Sequence, residues 1–336
     1  MKNLTLCLLM LIPFVAACEK DEDKKPAVAL ADSVTMGTGY ANDIFYSFST
    51  GIVHVENRTN WDIAFLTEKW SSSIIINGGA NLKLFTYPGG DTTAWETAFD
   101  TTGILGWQAL NNSDTAWNNS AFEANQLGHP DYGWGLYNSI SHDVVGDSLY
   151  VLQFGNKACK KIWIVKKESV NNKYFVKVAD LDGSNLIEKT IDCNGYSTKN
   201  FVYMNLTSGN LLDREPATTD WDILFTKYVT TSIYKNTIQM GGSVPTGVLL
   251  NRGVHAQKVT GEPVDLDVYT DASFSTSYTT IGYNWKTLNY STFTYTMVPE
   301  TKFFVKTGSG DVYKLVFTSF AGQSSGNIGF LKKQVN

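Results

Sequence analysis

The chain has 336 residues, which is enough for two domains of ordinary size. Hydrophobic residues make up 43% of it and aromatic residues 13%, enough for real cores. The 28 glycines, 17 tyrosines and 18 phenylalanines together favour strands and turns. The formal net charge is -5 and the basic residues are not clustered, so the composition gives no support for nucleic-acid binding.

Residues 1–17 have the pattern of a lipoprotein signal peptide. A basic residue, Lys2, precedes an apolar core from Leu4 to Phe14, and small residues precede Cys18. This pattern resembles a bacterial lipobox and predicts that Cys18 becomes the lipidated first residue. Several acyl chains on one cysteine hold a protein firmly to a bilayer, because each buried methylene contributes about 0.8 kcal/mol. A plain cleaved signal with an incidental cysteine is the alternative.

Residues 18–34 are a charged tether without periodicity. The acidic cluster directly after Cys18 resembles the surface-export signal of lipoproteins from Bacteroidetes-type bacteria, and it is equally compatible with a solvated linker. We therefore expect a lipid-anchored protein of the outer membrane that faces the cell exterior. No later apolar run reaches the ~20 residues that a membrane helix requires.

Two short segments share one motif: residues 61–65 read Trp-Asp-Ile-Ala-Phe, and residues 221–225 read Trp-Asp-Ile-Leu-Phe. Bulky residues at alternate positions are typical of a strand with one buried face. An aspartate in a strand is unfavourable unless its carboxylate accepts hydrogen bonds, here expected from backbone N–H groups of a neighbouring turn. Four residues are therefore interpreted as structural rather than catalytic: Trp61, Asp62, Trp221 and Asp222.

Matched blocks around these motifs predict an internal duplication, because they recur in the same order at offsets of roughly 150 to 160 residues. The blocks are 48–51 with 206–209, 61–65 with 221–225, 76–79 with 239–242, and 149–164 with 303–317. A propeller of Trp-Asp repeats is excluded, since it needs a period of about 40 residues. We expect two tandem domains, residues 35–195 and 196–336.

Apolar alternation predicts an all-β fold of antiparallel strands, with no amphipathic helix longer than two turns. Residues 78–134 interrupt the pattern as a long, aromatic-bearing loop region, and such loops are usually functional or carry small elements of their own. The predicted strands are 44–48, 52–55, 72–76, 148–154, 161–166, 174–178, 201–206, 302–305, 312–317 and 327–331.

Two cysteines remain beyond the signal and the lipobox. Cys159 and Cys193 flank two predicted strands, and an exported protein resides in an oxidising compartment, so a disulfide between them and two free thiols are both open interpretations. Two cysteines this far apart lack the spacing of a zinc site, and no metal site is predicted.

The lipobox, the Trp-Asp-Ile-x-Phe strand and residues 303–320 together resemble the HmuY family. The similarity extends from about residue 201 to residue 330 and, more weakly, from residue 45 to residue 182. Family members are all-β haem-binding lipoproteins of Bacteroidetes. The resemblance implies capture of haem, or of another flat apolar ligand, and its delivery to an outer-membrane haem receptor. It also implies two axial ligands, His or Met, on loops at one end of the sheet.

The family motifs mark the scaffold, so candidate haem ligands come from the residues themselves. Axial ligation requires a neutral imidazole or a thioether beside a flat apolar surface. His129 and His142 bracket the most aromatic neighbourhood of the chain, which contains Tyr132, Trp134 and Tyr137. The other two candidates, in the glycine-rich region after the second motif, are His255 and Met240.

No hydrolase elbow, zinc-protease motif, phosphate loop or dinucleotide fingerprint occurs, so no enzymatic activity is predicted. The alternative to haem capture is a non-enzymatic surface-interaction or glycan-binding lipoprotein on the same scaffold, without haem. Aromatic residues in segments 95–137 and 278–295 motivate this alternative, because aromatic rings stack on sugars.

Overall fold

The computed structural model describes residues 28–234 and 237–336, and the side chains of residues 232–240 are outside this description. Cys18, the signal peptide and most of the tether therefore lie outside the described residues. The described part consists of strands and short 3₁₀ turns, which confirms the all-β prediction. No helix in it is both long enough and apolar enough to cross a membrane.

All strand pairs of the described chain are antiparallel. The strands are β1 (Leu30–Thr35), β2 (Asn42–Ser47), β3 (Gly51–Asn57), β4 (Ile63–Leu66), β5 (Ile74–Ile76), β6 (Lys83–Thr86), β7 (Gly135–Tyr137), β8 (Asp143–Gly146), β9 (Tyr150–Gln153), β10 (Cys159–Glu168), β11 (Lys173–Asp180), β12 (Ile187–Asp192), β13 (Phe201–Met204), β14 (Leu211–Leu212), β15 (Ile223–Lys227), β16 (Thr230–Tyr234), β17 (Thr237–Ser243), β18 (Thr246–Leu250), β19 (His255–Thr260), β20 (Lys286–Asn289), β21 (Thr294–Met297), β22 (Thr301–Lys306), β23 (Val312–Phe320) and β24 (Asn327–Gln334). The 3₁₀ turns are Thr38–Tyr40, Gly78–Ala80, Thr92–Glu96, Ile104–Gly106, Ala121–Glu123, Cys193–Tyr196, Asp271–Ser273 and Gly322–Ser324.

The strands build two lobes, each with a large and a small sheet around one core. In lobe I the sheet β1-β24-β23-β22-β19 shares a core with the sheet β18-β15-β2-β3. In lobe II the sheet of β12, β11, β10, β9, β8, β7 and β6 shares a core with the sheet β14-β13-β4-β5. Two further hairpins are β16–β17 and β20–β21.

The lobes do not coincide with the two domains expected at 35–195 and 196–336. Lobe II is one continuous segment from β4 to β14, and lobe I combines β1 to β3 with β15 to β24. The expected boundary at residue 195 falls inside lobe II, between two of its strands. Hydrogen-bonded ladders cross it, because β4 pairs with β13 and β2 pairs with β15.

Each Trp-Asp strand pairs with the strand that precedes the other Trp-Asp motif. Ile63 of β4 lies opposite Met204 of β13, and Ile223 of β15 lies opposite Tyr46 of β2. Ile63 and Ile223 are both fully buried. Burying an isoleucine side chain contributes about 1.5–3 kcal/mol, so these exchanged pairings are integral to both cores.

The two motif aspartates make the hydrogen bonds expected of them. The Phe48 N–H donates to Asp222 Oδ2 at 2.8 Å, and the Leu206 N–H donates to Asp62 Oδ2 at 2.7 Å. Burial raises the pKa of both carboxyl groups, and these N–H donors oppose the rise. Each carboxylate thereby fastens a turn that belongs to the other half of the sequence.

The motif tryptophans pack in the same way on exchanged strands. Trp61 contacts Tyr203 of β13 edge-on, with ring centroids 5.0 Å apart, and Trp221 contacts Phe45 of β2 at 5.1 Å. The two lobes thus repeat one set of contacts around each motif. Descent of both halves from one copied unit stays a prediction of the sequence.

One block of the expected duplication was matched wrongly. Asn77 donates its N–H to Asp62 O at 2.9 Å, and the residue that makes this bond to Asp222 O, also at 2.9 Å, is Asn251. The structural equivalent of residues 76–79 is therefore 250–253, rather than 239–242. The hairpin β16–β17 occupies the intervening positions, and it has no counterpart after β4.

Cys159 and Cys193 are both free thiols, which corrects the disulfide interpretation. Cys159 begins β10 beside the Lys160–Asp180 pair, whereas Cys193 follows the Lys173–Asp192 pair at the opposite end of the sheet. At ~3.3 Å per residue these ends are roughly 20 Å apart, far beyond the reach of a disulfide. Burial raises the pKa of Cys193 to about 12.

A buried charge cluster lies where the chain passes from lobe II back to lobe I. Arg214 and Asp43 form an ion pair at 2.8 Å, and both side chains are almost fully buried. Thr226 donates its hydroxyl to the other Asp43 oxygen at 2.6 Å. Because Asp43 belongs to β2 and Arg214 follows β14, the pair links the two lobes.

Glu215, next to this pair, is expected to make the free energy of unfolding depend on pH. It accepts hydrogen bonds from the Phe201 N–H and the Tyr203 hydroxyl, but burial raises its pKa to about 7. Folding favours the neutral carboxyl group. The contribution of Glu215 to the free energy of unfolding is therefore fully present below the unfolded pKa near 4.5 and is lost as the pH rises through the folded pKa of about 7. The full effect is on the order of 3 kcal/mol.

We expect Glu215→Gln to flatten the loss of stability between pH 5 and pH 8, because an amide does not titrate there. Urea unfolding of both proteins at several pH values measures the difference. Equal slopes in the two proteins would show that Glu215 titrates normally.

Candidate functional site

The hairpin β7–β8 of lobe II ends in a tight turn that carries His142. Asn138 accepts the His142 N–H on its backbone carbonyl at 2.8 Å. Its side-chain oxygen accepts the N–H groups of Ile140 at 2.8 Å and Ser141 at 3.2 Å. His142 has a φ of 62°, a left-handed conformation that is uncommon for a residue with a side chain. The turn therefore fixes His142 at the exposed end of the hairpin.

Tyr137 fixes the orientation of the His142 ring. Its Oη lies 2.6 Å from His142 Nδ1, within hydrogen-bond distance. Nε2 is the ring nitrogen that remains for another ligand. The ring of Trp70 lies edge-on to the imidazole, with centroids 6.2 Å apart.

His129 reaches the same place from the preceding loop. Its ring centroid lies 5.1 Å from that of Tyr137 and 6.3 Å from that of Tyr132. Both histidines are exposed, and the side chain of Trp70 is 63% exposed. We call this group of five rings the aromatic shelf: Trp70, His129, Tyr132, Tyr137 and His142. Four of the five, all except His142, line one surface cleft.

A buried lysine holds the loop that carries Trp70. Lys167 Nζ donates to the carbonyl oxygens of Glu68, at 3.0 Å, and of Ser71. Tyr174 donates its hydroxyl to the same Ser71 oxygen at 3.1 Å. Burial lowers the pKa of Lys167 to about 8. The position of Trp70 thus depends on polar groups of the lobe II core.

The shelf brings together side-chain types that are used in axial haem ligation. It offers two imidazoles beside three aromatic rings, and a porphyrin needs such ligands next to a flat apolar surface. Two exposed apolar side chains, Leu127 and Ile140, lie in the adjoining loops. Among the described residues, no group of three or more His, Cys, Asp or Glu side chains could hold a bare metal ion.

The structure separates the four ligand candidates. His129 and His142 come together on the shelf. His255 begins β19 of lobe I and lines a different cleft, with Trp117 and Tyr278. The backbone of Met240 belongs to β17, and its side chain lies outside the described residues.

The structure exchanges two tryptophans at the candidate site: Trp134 lies outside it and Trp70 lies in it. Trp134, expected beside the histidines, is completely buried in the lobe II core and donates Nε1–H to Ser72 O at 3.0 Å. Trp70 was not singled out, although it is the most exposed tryptophan of the shelf region. Its one sequence signal is a tryptophan in a polar stretch, Glu-Lys-Trp-Ser-Ser, between two predicted strands.

Comparison with known proteins gives a weak likeness to a solved structure. No family model matches the chain, and no curated protein matches it. Among solved structures, the apo HmuY analog of Tannerella forsythia aligns with 48% of this chain and 90% of its own chain. The sequence identity is 13% and the TM-score is 0.18, so this likeness carries no weight for the fold or the function.

Proposed function

We propose that this protein binds haem on the aromatic shelf of lobe II, with His142 and His129 as the iron ligands. The observation that carries the proposal is that both imidazoles lie against Tyr137, with His142 held through Nδ1 at 2.6 Å. A histidine that ligates a metal usually has its other ring nitrogen hydrogen-bonded, which keeps Nε2 aimed at the metal. The resemblance of the sequence to the HmuY family supports the same ligand.

The residues of the shelf would have different roles in haem binding. His142 and His129 would hold the iron. Bound haem would supply a redox centre and the absorption spectrum. Tyr132 and Trp70 would contact the porphyrin face, excluding water from one side of it. The Lys167 amine stabilises the loop that carries Trp70 by donating to the Glu68 carbonyl oxygen.

The decisive experiment is a haemin titration followed by absorption in the Soret region. We expect the wild-type protein to shift the Soret band and His142→Asn to bind haemin at least tenfold more weakly, since a lost ligand removes a coordinate bond. Asparagine suits this variant because it tolerates the left-handed backbone at position 142.

His255→Ala is the matched control, because His255 lies in another cleft and should leave the titration unchanged. Metal-free protoporphyrin tests the aromatic contacts without iron. A wild-type protein that leaves the Soret band of haemin unaltered removes the proposal, and so does a His142→Asn variant that binds as the wild type does.

The proposed role in the cell follows from the same ligand. A haem-binding lipoprotein anchored through Cys18 in the outer membrane would capture haem outside the cell and pass it to an outer-membrane receptor. No catalytic step is part of this proposal. Expression that rises under iron limitation would accord with it.

One observation favours glycan binding as a second candidate. Trp70 borders an open groove that is also lined by Asn118, Asn119 and Gln126. Aromatic faces stack on sugars, and amides hydrogen-bond their hydroxyl groups. A glycan array with wild-type protein and Trp70→Ala tests this candidate, and an array without any signal eliminates it.

A further inference from the structure

The hairpin turn of His142 has a counterpart in lobe I with the same hydrogen bonds. In the hairpin β20–β21, the Phe293 N–H donates to Asn289 O at 2.8 Å. The Asn289 side chain accepts the N–H groups of Ser291 at 2.9 Å and Thr292 at 3.3 Å. These bonds reproduce, position by position, those made by Asn138 in lobe II. Asn138 and Asn289 are therefore equivalent, and so are His142 and Phe293.

The equivalent positions carry side chains with different chemistry. Phe293 has a φ of 54° against 62° for His142, so both residues adopt the same left-handed backbone. One position earlier than the asparagine, Tyr137 of lobe II is replaced by Leu288 in lobe I. Lobe I thus has leucine and phenylalanine, which cannot ligate iron, where lobe II has tyrosine and histidine.

The left-handed backbone of the turn does not favour a histidine or a phenylalanine at this position. A left-handed conformation is unfavourable for a residue with a β-carbon, and asparagine or glycine would relieve the strain. In this conformation His142 Nδ1 lies 2.6 Å from Tyr137 Oη, so the side chain of His142 has a polar partner. The Phe293 side chain is 77% exposed and has no polar atom that could ligate a metal.

We infer that the chain binds one haem, on lobe II alone, and that Tyr137 is the positioning residue of the site. This inference rests on the proposed function. With its hydrogen on Nδ1, the neutral His142 ring presents the Nε2 lone pair, and Tyr137 Oη lies where that hydrogen is directed. Lobe I keeps the fold of the hairpin and lacks both groups.

A haemin titration of the full chain tests the number of sites. We expect an endpoint of one haemin per chain, and we expect Phe293→Asn, which keeps the lobe I turn, to change neither the endpoint nor the affinity. An endpoint of two, or weaker binding by Phe293→Asn, overturns the inference while leaving haem binding itself in place. Absence of any binding by the wild type removes the proposed function and this inference together.

Tyr137→Phe tests the positioning role, because it removes one oxygen and keeps the ring. We expect haemin affinity to fall about 10- to 100-fold, the usual effect of losing a partner of a ligating histidine. In the haem-free protein, the tautomer ratio of His142, read from imidazole ¹⁵N shifts, should change as well. Unchanged affinity and an unchanged tautomer ratio would show that Tyr137 does not position His142.

Discussion

A fragment of residues 58–216 is expected to fold by itself, whereas a fragment of residues 35–195 is not. The first fragment contains every strand of lobe II, from β4 to β14. The second lacks β13, the hydrogen-bonded neighbour of β4, and the residue that donates to Asp62, Leu206. It would also carry β2 without its partner β15. An incomplete small sheet leaves a large part of the apolar core exposed to water.

Purification of the two fragments, followed by circular dichroism and proton NMR, distinguishes them. The fragment 58–216 should show a cooperative thermal transition and dispersed amide signals, and the fragment 35–195 should show neither. Co-expression of 28–195 with 196–336 is the control, because the exchanged strands should bring these two pieces together. A stably folded 35–195 fragment would contradict the strand exchange.

The second large effect is expected from the buried ion pair between the lobes. Arg214→Met leaves the Asp43 carboxylate in a buried site without its counter-charge. Removing one partner of such a pair typically costs 3–5 kcal/mol, because the remaining charge stays desolvated. We therefore expect the free energy of unfolding to fall by about that amount, measured by urea denaturation at pH 7.

The double variant Arg214→Met, Asp43→Leu separates the loss of the pair from the burial of an orphan charge. Well-packed apolar residues in place of a buried pair are often neutral or stabilising, so the double variant should recover most of the stability lost in the single one. Thr226 keeps its Asp43 acceptor in the single variant and loses it only in the double variant. A single variant as stable as the wild type would mean that Asp43 finds water or another partner.

The sequence predicted the strands with strong apolar alternation, missed others such as β12 and β19, and did not predict the strand partners. Alternation of apolar residues identifies the buried face of a strand, as it did for Ile63 and Phe65. It does not say which neighbour completes the ladder, since every motif strand here has two candidate partners with the same pattern. The exchange of β2 and β13 between the two halves of the sequence is therefore visible only in the structure.

The hydrogen bonds of the motif aspartates were predictable because a buried carboxylate has few alternatives. The match of 76–79 with 239–242 failed for a different reason. Both segments contain a Gly-Gly pair, but the bond to the motif aspartate is made by an asparagine, Asn77 or Asn251. With the hairpin β16–β17 inserted, Asn251 lies 29 positions after Asp222, whereas Asn77 lies 15 positions after Asp62.

The candidate site was predicted in part. His129, His142, Tyr132 and Tyr137 lie within fourteen positions of one another, so local sequence was enough to group them. Trp70 is distant in sequence and reaches them through the contacts of Lys167, which no local pattern reveals. His255 shares the chemistry of the other two histidines, but it lies in the other lobe.

Electron paramagnetic resonance of the ferric haem complex tests the central claim, ligation by the shelf histidines, most directly. Two imidazole ligands produce a low-spin signal, so we predict a low-spin spectrum for the wild-type complex and its loss in His142→Asn. A wild-type spectrum identical to that of haemin in buffer, or a low-spin signal that survives in His142→Asn, would contradict the account.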